Sequence, residues 1–194
     1  MAKEKIALIG LSRVRTWKVT QNDTDGFTLG EMMLLPNAQT LSKTQNSQDM
    51  TIRADDGIYY RGSTYDTTDL ELVVADLSQE ERAFLEGGTY DETTETYTKN
   101  ANDVAPELAF GFAALRIDGG YRLYQYYAGR VTKINVSHAT KGQNNDVAAY
   151  TISLSMTQRN ADGAIYREHD IKKADLDFTW LDEVDTLPVV PDLP

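Results

Sequence analysis

Cysteine is absent from the 194 residues, which excludes a disulfide framework, thiolate metal sites, iron–sulfur ligation and a cysteine nucleophile together. Histidine is nearly absent. His138 and His169 have no second His or Cys at ligand spacing, so a transition-metal site would have to recruit scattered carboxylates. No apolar run approaches the ~18 residues that a membrane-spanning helix needs, and the opening MAKEKIALIG has too short an apolar stretch for a signal peptide. The expectation is a soluble protein made in the cytoplasm, without a membrane partner. Also missing are G-x-S-x-G, a Gly-rich phosphate loop and G-x-G-x-x-G, the usual marks of serine hydrolases and nucleotide enzymes. The run QNDTDGF places Asp23, Asp25 and Gly26 as in a calcium loop, but Gln21 and Met32 occupy its first and twelfth positions, so a polar turn is expected instead. Adjacent carboxylates such as Asp55 and Asp56 point to opposite faces of a strand, which makes a poor glycosidase pair. No metal, no cofactor and no enzymatic activity are expected.

Positive charge is also scarce, with 19 Lys and Arg against 30 Asp and Glu and a net charge of −11. Affinity for nucleic acid through phosphate neutralisation is therefore disfavoured. The distribution is uneven. Residues 1–20 carry Lys3, Lys5, Arg13, Arg15 and Lys18 against Glu4 alone, and residues 119–145 carry four cations and no acid. Residues 49–96 hold thirteen acids and three bases, and residues 160–194 nine acids and three bases. Such blocks either interleave on a solvated surface or join copies of the chain through opposite patches. With 41% hydrophobic residues, 13 Gly and 5 Pro the chain is globular, and its length suits a single domain over 1–194.

Strand signals dominate what is present. Leu70, Leu72 and Val74 alternate with Asp69, Glu71 and Val73, and Tyr150, Ile152, Leu154 and Met156 alternate with Thr151, Ser153, Ser155 and Thr157. The second set predicts a half-buried strand whose polar face, Thr151, Ser153, Ser155 and Thr157, is wet. Residues 107–136 read as a meander of three strands with a Gly119-Gly120 turn, and Asp-Gly at 56–57 and 162–163 predicts two more hairpins. One short helix is well marked, with a Ser78–Glu81 capping box and a Gly87-Gly88 stop. Residues 27–49 are rich in Gln, Asn, Ser and Thr, contain the apolar patch Met32, Met33, Leu34 and Leu35, and read as a long assembly loop. A second helix or arm is expected from about 175, running to 194. Eleven tyrosines, four of them at 121, 124, 126 and 127, suit sheet packing or subunit contact better than base stacking in so acidic a chain.

The order of three segments adds to this. ADDGIYYRGSTYDTTDLELVVADLSQEERAFLEGGTYDE, then NDVAPELAFGFAALRIDGGYRLYQYYAGR, then DLDFTWLDEV resemble the major tail proteins of long-tailed, non-contractile bacteriophages, most of all the phi13-type group. The resemblance spans about Ala54 to Val184. It implies a mainly β tail-tube fold, with two antiparallel sheets in a sandwich or half-barrel and one short flanking helix. It also implies a structural role in the virion tail, assembled in the cytoplasm of the bacterial host: six copies form a ring, rings stack into a tube, and the tube conducts the genome. Partners would be further copies of the chain, a tape-measure protein, and tail-terminator and baseplate proteins. DNA would pass without specific binding, since six copies at −11 carry −66 per ring. The expected contacts between subunits are Met32, Met33, Leu34 and Leu35, the basic Arg13 and Arg15, and the acidic Asp175 and Asp177, with long loops and terminal arms joining rings. The alternatives are a tail-terminator or baseplate ring protein, which forms one ring and stops, a carbohydrate-binding β-sandwich using the Tyr-rich strand, and a glycosidase.

Overall fold

The computed structural model describes residues 6–54, 57–136 and 149–183. In chain order the elements are β1 (Leu8–Asn22), β2 (Phe27–Leu34), β3 (Ala38–Ala54), β4 (Gly57–Val74), α1 (Gln79–Glu86), β5 (Thr89–Asp91), β6 (Thr96–Thr98), β7 (Leu108–Arg116), β8 (Tyr121–Tyr126), β9 (Ala128–Val136), β10 (Tyr150–Thr157), β11 (Tyr166–Ile171) and the single helical turn α2 (Thr179–Asp182). Nine strands form two antiparallel sheets, one in the order β11-β8-β7-β1-β2 and one in the order β3-β4-β10-β9, while β5 and β6 pair as a separate ribbon. The fold is mainly β with a short flanking helix, as the strand periodicities imply.

The core lies between the two sheets. Alternation puts Leu70, Leu72 and Val74 of β4 and Ile152, Leu154 and Met156 of β10 on one side of the four-stranded sheet, each no more than 1% exposed. They meet Val14, Phe110, Phe112 and Tyr126 of the five-stranded sheet, and Phe84 and Leu85 of α1 join the same cluster. Each such side chain contributes about 1.5–3 kcal/mol by leaving water. The helix starts where its sequence says it should: the Ser78 hydroxyl accepts from the Glu81 amide at 3.1 Å, and the Glu81 carboxylate accepts from the Ser78 amide at 2.7 Å. It stops at Gly87, whose φ of 74° is left-handed and whose missing Cβ would lie 2.3 Å from the Val104 carbonyl oxygen.

Three expectations from the sequence are corrected. Residues 27–49 are not a loop; they form β2, which pairs with β1, and most of β3, which pairs with β4. Threonines and glutamines suit a strand with wet surroundings as well as they suit a loop, and the local polarity hid the pairing. The supposed meander breaks after β8: β9 pairs with β10 in the other sheet, so the chain changes sheets at Tyr127. Asp162-Gly163 is a turn but joins no hairpin, because β10 and β11 belong to different sheets. The other Asp-Gly does serve a hairpin, since Ala54 pairs with Gly57; Asp55 and Asp56 lie outside the described residues.

The last two of the four sheet changes, after β8 and after β10, are tied to one cation. Arg159, its side chain 2% exposed, binds Asp162 through Nε and Nη2 at 2.7 and 2.6 Å. Its guanidinium also lies 4.1 Å from the Tyr127 ring centroid. Hydrogen bonding from Arg159 holds the Asp162 carboxyl below the usual carboxylate range, and Arg122 does the same for Asp170. Depressed carboxylate pKa values contribute stability that is complete above the ordinary carboxylate range and is lost as pH falls through the folded-state values. The melting temperature is therefore expected to hold from neutral pH down to that range and to fall below it. Asp162→Asn should lower the neutral-pH melting temperature and flatten the acid limb; an unchanged acid limb in the variant would remove this pair from the account.

Candidate assembly surfaces

The four-stranded sheet has one greasy face, turned to the core, and one polar face, turned outward. On β10, Thr151, Ser153 and Ser155 are half-buried and Thr157 is exposed, on the side opposite Ile152, Leu154 and Met156. Ser42 and Thr44 of β3, Asp69 and Glu71 of β4 and Thr132 of β9 join Ser153 and Ser155 around a shallow cleft of about 350 Å³. Asp69 organises the centre, accepting from Asn46 Nδ2 at 2.7 Å and from Ser155 Oγ at 3.0 Å. Cations stand at one margin, where the edge strand β9 carries the exposed Arg130 and Lys133 opposite Ser155 and Ser153.

Among the described residues the sheet ends in two unpaired edges, β3 and β9. Because four antiparallel strands alternate in direction, β9 runs opposite to β3. Unpaired amide and carbonyl rows on strands of 17 and 9 residues are ready templates for another chain.

The longest projection is the far half of the β3–β4 hairpin. β10 covers β4 only from Thr68 to Val74, whereas β3 stays paired with β4 out to Ala54 and Gly57. Ser47–Ala54 and Gly57–Tyr65 are thus a two-stranded arm. It presents Met50, Ile52, Ile58, Tyr59 and Tyr60 at 46–79% exposure. Ile52 and Tyr60 are directly paired, and Gly62 leaves room for the Tyr60 ring, since a Cβ there would meet Tyr60 Oη at 2.6 Å. A two-stranded ribbon is marginal alone in water, and so many exposed apolar side chains on it call for a partner. Sequence reading marked the Asp-Gly turn and passed over the apolar residues on each side of it.

A groove of about 310 Å³ lies at the opposite end of β3, between residues 11–15 of β1 and residues 34–38 at the β2–β3 turn. Leu35 donates its amide to the Val14 carbonyl at 2.9 Å across it. Of the four apolar residues expected to contact a neighbour, Met32 and Leu34 are 44% and 53% exposed, whereas Met33 packs against the core and Leu35 is 3% exposed. Strand alternation splits the patch.

Arg13 and Arg15, expected to face another subunit, engage their own chain. Arg13 covers the Phe178 ring at 3.8 Å, and Arg15, 6% exposed, pairs with Asp182. Residues 172–183 cross the outer face of the five-stranded sheet as a strap, packing Phe178, Trp180 and Leu181 over Ala113, Leu123 and Ile171. His169 stacks on Trp180 at 5.3 Å, and Arg167 lies 4.2 Å from the same ring. Asp175 and Asp177 are exposed on this strap, and Asp177 accepts from the amide and hydroxyl of Thr179, which holds it below the usual carboxylate range. The rest of the expected C-terminal arm, 184–194, and His138 lie outside the described residues.

The tyrosine strand is a packing element. Tyr124 stacks on Phe112 with ring centroids 4.6 Å apart, Tyr126 and Tyr127 are at most 2% exposed, and Tyr121 meets Phe178 edge-on at 5.1 Å. These rings offer no open platform for sugars or bases. Asp23 caps its turn by accepting from the amides of Asp25 and Gly26, both at 2.9 Å. No group of three or more His, Cys, Asp or Glu able to hold a metal occurs among the described residues.

No family model matches the chain, and no curated protein does. Solved structures do. A chain of the extended sheath–tube complex of an extracellular contractile injection system, PVC, is similar at 9% identity and a TM-score of 0.43, over 82% of this chain and 89% of that one. The tube-terminating cap of the anti-feeding prophage is similar at 11% identity and 0.44, over 88% and 100%. A chain of the anti-feeding prophage baseplate is similar at 8% and 0.43, over 89% and 99%.

Proposed function

We propose that the chain is a structural protein of a phage tail, forming hexameric rings that stack into a tube for genome passage. The observation that carries this reading is the open four-stranded sheet, with a polar outer face and two long free edges of opposite direction. In a ring with cyclic symmetry, β9 of one copy meets β3 of the next. An even number of antiparallel strands keeps the alternation unbroken across that junction. Six copies of a four-stranded sheet then close into one barrel of 24 strands with no edge left to aggregate. Its polar faces, with Asp69 and Glu71 at their centres and Arg130 and Lys133 at one margin, would line the channel.

Stacking beyond one ring is supported by the arm and the groove, which lie at opposite ends of β3. A head-to-tail contact of this kind does not close on itself and propagates. That favours a tube over a terminator or baseplate ring that stops after one layer. The partners that follow are further copies of the chain, a tape-measure protein inside the tube, and terminator and baseplate proteins at its ends, in a particle assembled in the bacterial cytoplasm. Sedimentation velocity over a wide range of concentrations tests the proposal. Species growing without limit as concentration rises are expected, and a strict monomer throughout, also with the tape-measure partner present, would contradict it.

A further inference from the structure

Three described residues other than glycine have positive φ: Arg13 at 53°, Asn37 at 61° and Glu95 at 51°. Glu95 belongs to the turn of the small β5–β6 ribbon. Arg13 and Asn37 both line the groove at the base of β3. Asparagine tolerates the left-handed region because its short polar side chain satisfies nearby backbone. Arginine has no such compensation, so an external contact must hold Arg13 there.

That contact comes from the strap. Between Ser12 and Arg15, β1 spans three steps while β7 spans two, from Ala113 to Gly111, so Arg13 sits in a bulge that carries one extra residue. Its guanidinium is held over Phe178 at 3.8 Å, and Arg15, just past the bulge, is paired with Asp182 of the same strap. Arg13 and Arg15 therefore meet the strap through their side chains, while the same stretch, residues 11–15, lines the groove. The strap's apolar contacts form a cluster of their own, on the face of the sheet turned away from the main core. A unit so separated can undock without unfolding the sandwich.

We infer that the C-terminal strap regulates the groove through Arg13. Docked, it holds the bulge in the left-handed form that shapes the groove; lifted, it releases Arg13 and the bulge relaxes. Strap docking then precedes occupation of the groove by a second copy, and occupation in turn secures the strap, since coupling between two sites is reciprocal. The inference rests on the groove being a contact between stacked copies.

Hydrogen exchange on the full chain at low concentration tests it, with Phe178→Leu, Arg13→Gly and the double variant. Leucine keeps the apolar bulk under the strap and removes the ring face that binds the guanidinium. Glycine takes positive φ without strain and so keeps the bulge without the strap's help. Phe178→Leu is expected to speed exchange at residues 12–16 by about threefold to tenfold, as loss of a cation–π hold implies, and to slow assembly. In the Arg13→Gly background the same change should leave residues 12–16 unaltered while the strap still exchanges faster. Faster exchange confined to the strap, or an equal response at 12–16 in both backgrounds, would overturn the inference. Failure of every variant and the parent to assemble would remove the groove's role as a contact between copies without touching the exchange result, so the two failures are distinguishable.

Discussion

A chain in which Ser47 is joined to Tyr65 through an Asn-Gly turn is expected to fold and to lose assembly. The excised strands pair only with each other, and Asn-Gly favours the tight hairpin turn that matches strand twist. Tyr65 is kept because its hydroxyl donates to the Met156 carbonyl at 3.3 Å and accepts from the Thr68 hydroxyl at 3.1 Å, which anchors the cut end of β4 to the sandwich. What is lost is the patch of Met50, Ile52, Ile58, Tyr59 and Tyr60. Burying even two such side chains gives ~3 kcal/mol, so the concentration needed for assembly should rise at least about a hundredfold. The melting temperature of the monomer should move by only a few degrees. Assembly at the parental concentration would show that the arm does not carry the contact. Removing Met33–Ser47 instead, the cut that a loop at 27–49 would permit, is expected to unfold the chain, because it deletes Leu35 and the inner half of β3.

Leu154→Ala should cost about 2–5 kcal/mol, which for a domain of this size lowers the melting temperature by about 5–20 °C. Leu154 is 1% exposed and lies between Leu70 and Val131 in the middle of the four-stranded sheet. Its neighbour Ser153 points to the wet face, and Ser153→Ala should stay within about 0.5 kcal/mol. The contrast within one dipeptide tests which face of the sheet is core. Equal losses at the two positions would reverse the assignment and take the polar channel wall with it.

Strands with period-two alternation were legible because burial on one face imposes that period directly, as at Leu70, Leu72, Val74, Ile152, Leu154 and Met156. The helix was legible because its start and stop signals are both local: a Ser and a Glu three apart, and a glycine free to take positive φ. Pairing was not legible. Whether β9 continues a meander or crosses to the other sheet is decided by Tyr127 and the buried Arg159, 32 residues further along the chain. Nothing near Tyr127 in sequence announces that contact. The polar run after Leu35 was misread for a related reason: Ser42, Thr44 and Asn46 face solvent or Asp69, and only the register with β4 shows that they belong to a strand. Basic and acidic blocks were visible, but their partners were not; Arg13 and Arg15 find Phe178 and Asp182 in their own chain. The apolar arm was written plainly on both sides of Asp55-Asp56-Gly57, and its significance emerges only once β10 is seen to stop at Thr68.

Electron cryo-microscopy of the purified full-length chain, at concentrations where sedimentation shows growth, tests the central claim most directly. A hollow filament of stacked six-membered rings is expected, with β9 of each subunit hydrogen-bonded antiparallel to β3 of the next and with Asp69, Glu71, Ser153 and Ser155 facing the channel. Rings joined through the five-stranded sheet, or a channel lined by the face that carries Leu72 and Leu154, would contradict it.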